Sequence, residues 1–173
     1  GGSGQISFDC IHESVKAGHE VYVYNRGNNN KGLPQTCNFI KGDIFNDSDY
    51  AQLKEHYFDA VCQFHLFTPV EIKRDIEHFS GGCDQYIFIS SAAAYQKPPK
   101  SHVITEAALL DNRHWEYGRQ KAEMEGILRA QSKLPYTIVR PSHTSRSKIT
   151  SAMGDGDAMV SRLRRGKPII LPG

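Results

Sequence analysis

Gln85-Tyr86-Ile87-Phe88-Ile89-Ser90-Ser91-Ala92-Ala93-Ala94-Tyr95 is the stretch on which the fold turns. Its first five residues form a continuous β-prone run, the pattern of a strand in a sheet covered on both faces. The run ends in two serines, which puts hydroxyls at a strand's carboxyl end, where open α/β sheets bind ligands. Working outward, Asp59-Ala60-Val61-Cys62-Gln63-Phe64 is a similar run, and Val21 to Tyr24, Asn38 to Ile40 and Tyr136 to Val139 add shorter ones. Between them lie amphipathic stretches. In Ile6 to Lys16 the apolar Phe8, Ile11 and Val15 share one helical face, and Gly18 supplies the left-handed stop. Asp47 to Glu55, Val70 to Phe79, Trp115 to Gln131 and Ala158 to Arg165 are the other predicted helices. This alternation reads as βαβ units, hence an α/β protein built on a parallel sheet.

Composition narrows the class. The 173 residues suffice for one domain with its own core, and a net charge of +2 gives no reason to invoke nucleic acid or a membrane surface. No apolar run reaches the ~20 residues of a membrane span, and no secretory signal is visible at the start. Cys10, Cys37, Cys62 and Cys83 have no Cys-x-x-Cys spacing and read as reduced core residues of an intracellular protein. The eight histidines form no metal-binding pattern, and no serine sits in a Gly-x-Ser-x-Gly elbow.

The opening Gly1-Gly2-Ser3-Gly4-Gln5-Ile6-Ser7 fits a glycine turn before a helix. Such a turn brings backbone N–H groups close to a pyrophosphate at the helix N-terminus. Ser7 stands where a third glycine is usual, and Gly-Gly-Ser-Gly is also linker composition. At the end of the next strand, where a carboxylate would accept from an adenosine 2′-hydroxyl, stand Asn25 and Arg26. A guanidinium there suits a 2′-phosphate, so the cofactor choice, NAD or NADP, leans toward NADP.

Tyr117-Gly118-Arg119-Gln120-Lys121 places a phenol and an ammonium one helical turn apart on one face. A nearby cation favours phenolate, which allows proton exchange with a substrate hydroxyl or carbonyl. Tyr50 and Lys54 have the same spacing but no serine-bearing strand end before them, and read as a surface helix face.

With these motifs in order, the chain resembles the NAD(P)-dependent epimerase/dehydratase group of extended short-chain dehydrogenases/reductases. The resemblance rests on Gly1 to Ser7, Lys41-Gly42-Asp43-Ile44, Phe88 to Tyr95, Tyr117 to Lys121 and Val139-Arg140-Pro141. It implies a Rossmann-type doubly wound sheet over residues 1 to 173. It also implies that the chain begins after the family's first strand and stops before its C-terminal substrate-binding portion. Tyr117 is then the general acid/base, Lys121 holds ribose hydroxyls and favours the phenolate, and Ser91 bonds the reacting oxygen. Gly1, Gly4, Ser7, Asn25, Arg26, Asp43, Ile44, Phe64, His65, Lys121, Arg140 and Pro141 would line the cofactor. The substrate would be a small molecule of sugar-nucleotide type, the protein cytoplasmic, and a homodimer would form through the Trp115 to Gln131 helix.

Phe64-His65-Leu66-Phe67 is bulky where the family usually has small residues. That departure keeps open a second expectation, a non-catalytic dinucleotide-binding or RNA-binding module on the same fold. Arg162-Leu163-Arg164-Arg165-Gly166-Lys167 would serve RNA in that case and otherwise complements a helix end.

Overall fold

A computed structural model describes residues 2–144, 150–151 and 154–169. Strands β1 (Tyr22–Asn25) and β2 (Asn38–Lys41) form one parallel ladder, with Tyr22 opposite Asn38 and Asn25 opposite Lys41. Strands β3 (Phe58–Gln63), β4 (Cys83–Ile89) and β5 (Tyr136–Val139) form a second, in that order, also parallel. Among the described residues no ladder joins β1 to β3. A short antiparallel pair, β6 (Thr150–Ser151) and β7 (Gly154–Asp155), follows. The expected mixed α/β architecture with parallel sheets is therefore present.

Helix α1 (Ser7–Lys16) ends as its glycine predicts. Gly18 adopts φ +87°, His19 N–H donates to Ser14 O at 3.1 Å, and Gly18 N–H donates to Val15 O at 3.0 Å. Helix α2 (Asp47–Ala51) starts on the Asn46 side chain, which accepts from Ser48 N–H and Asp49 N–H, and tightens into a 3₁₀ turn (Gln52–Glu55). Helix α3 (Pro69–Phe79) opens with proline in its first turn, and Glu71 Oε2 accepts from the N–H groups of Phe67 and Thr68. Helix α4 (Glu116–Ala130) buries Gly118, Lys121, Met124, Glu125 and Leu128 along one stripe. Helix α5 (Gly156–Arg164) follows β7.

Leu66, Ile72, Tyr86, Phe88, Met124 and Leu128 form the main core, while Ile11, Val23, Leu33 and Cys37 form a smaller one between α1 and β1. Three expectations change here. Strand β3 is not buried on both faces: Ala60 and Cys62 are exposed, because α3 and α4 cover the opposite face, which carries Val61, Tyr86 and Phe88. Of the four free cysteines only Cys37 and Cys83 are buried. Tyr50 is not a surface residue; at 2% exposure it lies in the core, its hydroxyl donating to the buried Asp75. Local spacing placed Tyr50 on a helix, but the packing of α2 on α3 decides which way it faces.

Candidate active site

Because β1 to β5 run parallel within their ladders, each carboxyl end carries one of the sequence motifs. Asn25 and Arg26 follow β1, Gly42, Asp43 and Ile44 follow β2, Phe64 and His65 follow β3, Ser90 and Ser91 follow β4, and Arg140 and Pro141 follow β5.

The glycine turn precedes α1. Gly1 lies outside the described residues. Gly2 adopts φ +95°, and a Cβ there would meet Val23 Cγ1 at 2.6 Å, so only glycine fits against β1. Gly4 N–H donates to Ser7 Oγ at 3.1 Å, which gives the buried serine a local structural task in place of a third glycine. The loop after β2 is shaped similarly: a Cβ on Gly42 would lie 2.6 Å from Tyr24 Cε2. There Asp43 Oδ1 accepts from Phe45 N–H at 3.1 Å, and Arg74 Nη1 donates to Ile44 O at 2.7 Å. Asn25 Oδ1 accepts from Gly27 N–H at 2.7 Å and its amide donates to Asn30 Oδ1 at 2.8 Å, while Arg26 is exposed.

The loop after β3 is tied to the core. Buried Gln63 donates to Asp75 Oδ2 at 2.7 Å and accepts from His65 N–H at 3.0 Å. Half-buried His65 lies between the Phe45 and Phe67 rings, at centroid distances of 5.8 and 4.8 Å, and burial pushes its imidazole below the ordinary range. Phe64 is half-buried beside it.

Ser91, Tyr117 and Lys121 come from two elements held in close contact. The Ser91 hydroxyl oxygen accepts from Ala93 N–H at 3.1 Å, starting a 3₁₀ turn over Ala92–Ala94 and leaving its own O–H free to donate. Gly118, next to Tyr117, lies against that turn; a Cβ there would overlap the carbonyl oxygen of Ala93. Lys121 is 2% exposed, and its ammonium donates to Leu66 O at 2.8 Å and Ile89 O at 2.9 Å. The same nitrogen lies 5.7 Å from the Tyr117 ring centroid and 4.8 Å from that of Phe88. Burial pulls this lysine down to about 8, against the opposing charges of Glu71 and Glu125. Phe67 and Trp115 flank Tyr117, their centroids at 6.4 and 5.1 Å.

Arg140 is held within the protein. Its guanidinium donates to both oxygens of Glu125 and, at 2.9 Å, to Tyr95 Oη. Pro141 O accepts from Ala92 N–H at 3.0 Å, stitching the segment after β5 to the serine turn. Sequence reasoning missed Gly118 and Glu125. A glycine inside a helix costs ~1 kcal/mol relative to alanine, so its presence beside Tyr117 was a legible sign of close backbone approach. Glu125, one turn beyond Lys121, gave no comparable signal.

Among the described residues no group of three or more histidine, cysteine or acidic side chains could hold a metal ion, and no helix is long and apolar enough to cross a membrane.

With this geometry in view, comparison with known proteins settles the class. The NAD(P)H-binding family matches residues 1–163, and the chain belongs to that family. Several solved structures share its fold. UDP-glucuronic acid 4-epimerase from Bacillus cereus, in complex with NAD, matches at TM-score 0.73 and 18% identity over 95% of this chain and 62% of its own. WbmH from Bordetella bronchiseptica, in complex with NAD+, matches at TM-score 0.73 and 16% identity over 95% of this chain and 60% of its own. UDP-glucose 4-epimerase from Bifidobacterium longum, in complex with NAD+ and UDP, matches at TM-score 0.62 and 20% identity over 80% of this chain and 50% of its own. The chain thus spans about three fifths or less of the length of these neighbours. A search of curated proteins found no match.

Proposed function

We propose that the chain forms the dinucleotide-binding part of an NAD(P)-dependent epimerase, dehydratase or reductase. Its substrate would be a sugar-nucleotide-like molecule bearing a hydroxyl or ketone. The observation that carries this reading is the apposition of α4 on the serine turn through Gly118, which brings Tyr117 and Lys121 to the strand end that bears Ser91. The residues suit the cofactor: a glycine turn with no room for a Cβ at Gly2, an acidic residue at Asp43, and a cation at Arg26. Asn25 and Arg26, with no carboxylate between them, keep the lean toward NADP, although the structural neighbours named above are NAD complexes.

Each residue has a task in this reading. Ser91 donates its O–H to the reacting oxygen. Tyr117 takes the proton of a substrate hydroxyl as phenolate, or returns it to a ketone as phenol. Lys121 uses two N–H bonds on Leu66 O and Ile89 O, and its third N–H is available to a ribose hydroxyl. When bound, the nicotinamide cofactor supplies the hydride acceptor or donor. Arg140 acts by holding its segment, since its donors meet Glu125 and Tyr95. The cytoplasmic location and the α4-mediated homodimer belong to the same reading.

Fluorescence titration with NADPH and NADH, followed by turnover of UDP-glucose and UDP-glucuronic acid, tests it on the full-length protein. Saturable binding with turnover lost in Tyr117→Phe is the expected result; absence of binding to either nucleotide would falsify it. The bulk of Phe64 and Phe67 and the exposed Arg162, Arg164 and Arg165 favour the second reading, a non-catalytic or RNA-binding module; Leu66 is taken up by the core. Salt-dependent RNA binding lost on neutralising those arginines would support it.

A further inference from the structure

Glu125 has no task in the chemistry above, yet its carboxylate is fully buried and more heavily bonded than any other in the site. Oε1 accepts from Ser90 Oγ at 2.5 Å and from Arg140 Nε at 2.9 Å. Oε2 accepts from Arg140 Nη2 at 2.6 Å, from Arg140 Nε at 3.1 Å and from Arg129 Nη2 at 3.2 Å. Burial pushes this carboxyl up, but the bonds from Arg140 and Ser90 outweigh that and hold it below the ordinary range.

These bonds reach three separate pieces of the site. Glu125 lies one turn beyond Lys121 on the buried stripe of α4. Ser90 immediately precedes Ser91 at the end of β4, and its N–H donates to Val139 O at 2.8 Å. Arg140, whose side chain is 9% exposed, leads into Pro141 and extends to Tyr95 at the far side of the serine turn. One carboxylate therefore fastens the helix of Tyr117 and Lys121 to the serine-bearing strand and to the segment after β5. Stability alone is a poor reason for this, because a buried ion pair is often no better than well-packed apolar residues of the same volume.

We propose that Glu125 is a positioning residue, which through Ser90 and Arg140 sets the approach of Tyr117 and Lys121 to Ser91. This role deepens the functional reading above and rests on it. The charged groups facing Lys121 are Glu125 on its own helix and Glu71 on α3; those facing Glu125 are Arg129 on α4 and Arg140 after β5.

The test compares Glu125→Gln, Glu125→Asp and Arg140→Lys in the full-length chain. Three quantities are read: kcat with UDP-sugars, NAD(P)H affinity, and the Lys121 titration followed by NMR of ¹³Cε-labelled lysine. Glu125→Gln is expected to lower kcat about tenfold to a hundredfold with nucleotide affinity within about threefold of wild type. Because a negative charge is lost, the Lys121 midpoint should move to lower pH. Glu125→Asp should recover part of kcat. Arg140→Lys keeps the charge but not the fork, and should lower kcat with little movement of the midpoint. If Glu125→Gln does not fold, the kcat-against-affinity split in Arg140→Lys decides. An unchanged Lys121 midpoint in Glu125→Gln, or a parallel loss of kcat, affinity and melting temperature, overturns the proposal. If wild type turns over no sugar nucleotide, the functional reading fails, and an unchanged Lys121 midpoint in Glu125→Gln still overturns the positioning role.

Discussion

Gly118 and the carbonyl oxygen of Ala93 are in direct contact, with no space between them for even a methyl group. Asn112 Nδ2 donates to the same oxygen at 2.8 Å, so the carbonyl is pinned and cannot swing aside. Gly118→Ala is therefore expected to lose ~1–3 kcal/mol of stability by overpacking, despite the better helix propensity of alanine. It should also lose turnover, since α4 must lift from the Ser91 turn. Gly126 on the same helix meets nothing within 4 Å and is exposed, so Gly126→Ala should gain about 1 kcal/mol. Urea unfolding of both variants checks the contrast, and two variants of equal stability would contradict it.

Asp75 is the acceptor at the centre of the core. Tyr50 Oη, Gln63 Nε2 and Tyr86 Oη donate to it at 2.7, 2.7 and 2.6 Å. Removing it in Asp75→Ala strands three buried donors, each worth ~1–3 kcal/mol when left unsatisfied. The variant should be destabilised by about 3 kcal/mol or more, whereas Tyr86→Phe, which removes one donor, should cost about 1 kcal/mol. Urea midpoints measured side by side would show whether this ordering holds.

His78 should make stability fall on the acid side. Burial, with Lys54 and Arg74 nearby, pulls its imidazole from 6.5 to about 4. As pH drops through 6.5 the unfolded chain takes up this proton and the folded chain does not, so stability present above 6.5 is lost progressively toward pH 4. His78→Phe keeps the ring beside Tyr50, whose centroid is 4.8 Å away, and should flatten the melting-temperature profile across that interval. A profile as steep as that of wild type would assign the acid loss to other groups.

Arg26 tests cofactor choice. If its guanidinium meets a 2′-phosphate, Arg26→Ala should weaken NADPH about tenfold, the loss of one charge-assisted contact, and leave NADH within about twofold. Equal changes for both nucleotides would remove the lean toward NADP.

Much of the arrangement was readable from residues. The runs at Asp59 to Phe64 and Gln85 to Ile89 became β3 and β4, and the parallel order put the quoted motifs at carboxyl ends. Gly2 and Gly18 announced backbone geometry that only glycine tolerates. What local pattern could not supply was direction. Tyr50 and Tyr117 have the same partner spacing, and only the packing of α2 against α3 turns the first onto Asp75. The family resemblance of Val139-Arg140-Pro141 implies that Arg140 lines the cofactor, and no residue pattern signals that its fork bonds Glu125, fifteen residues earlier in the chain. Such long-range pairings carry no periodic trace in a single sequence.

The Gly81–Gly82 turn occupies the opposite edge from all of this. Gly82 O accepts from Phe58 N–H at 3.1 Å where β3 begins, and Gly81, at φ +79°, is exposed with nothing within 4 Å of a Cβ position. The full length of β4, ~23 Å at the rise of an extended strand, separates that turn from Ser91. A fluorophore, affinity handle or surface tether joined there would report on the protein or immobilise it with the carboxyl ends of β3 to β5 left open.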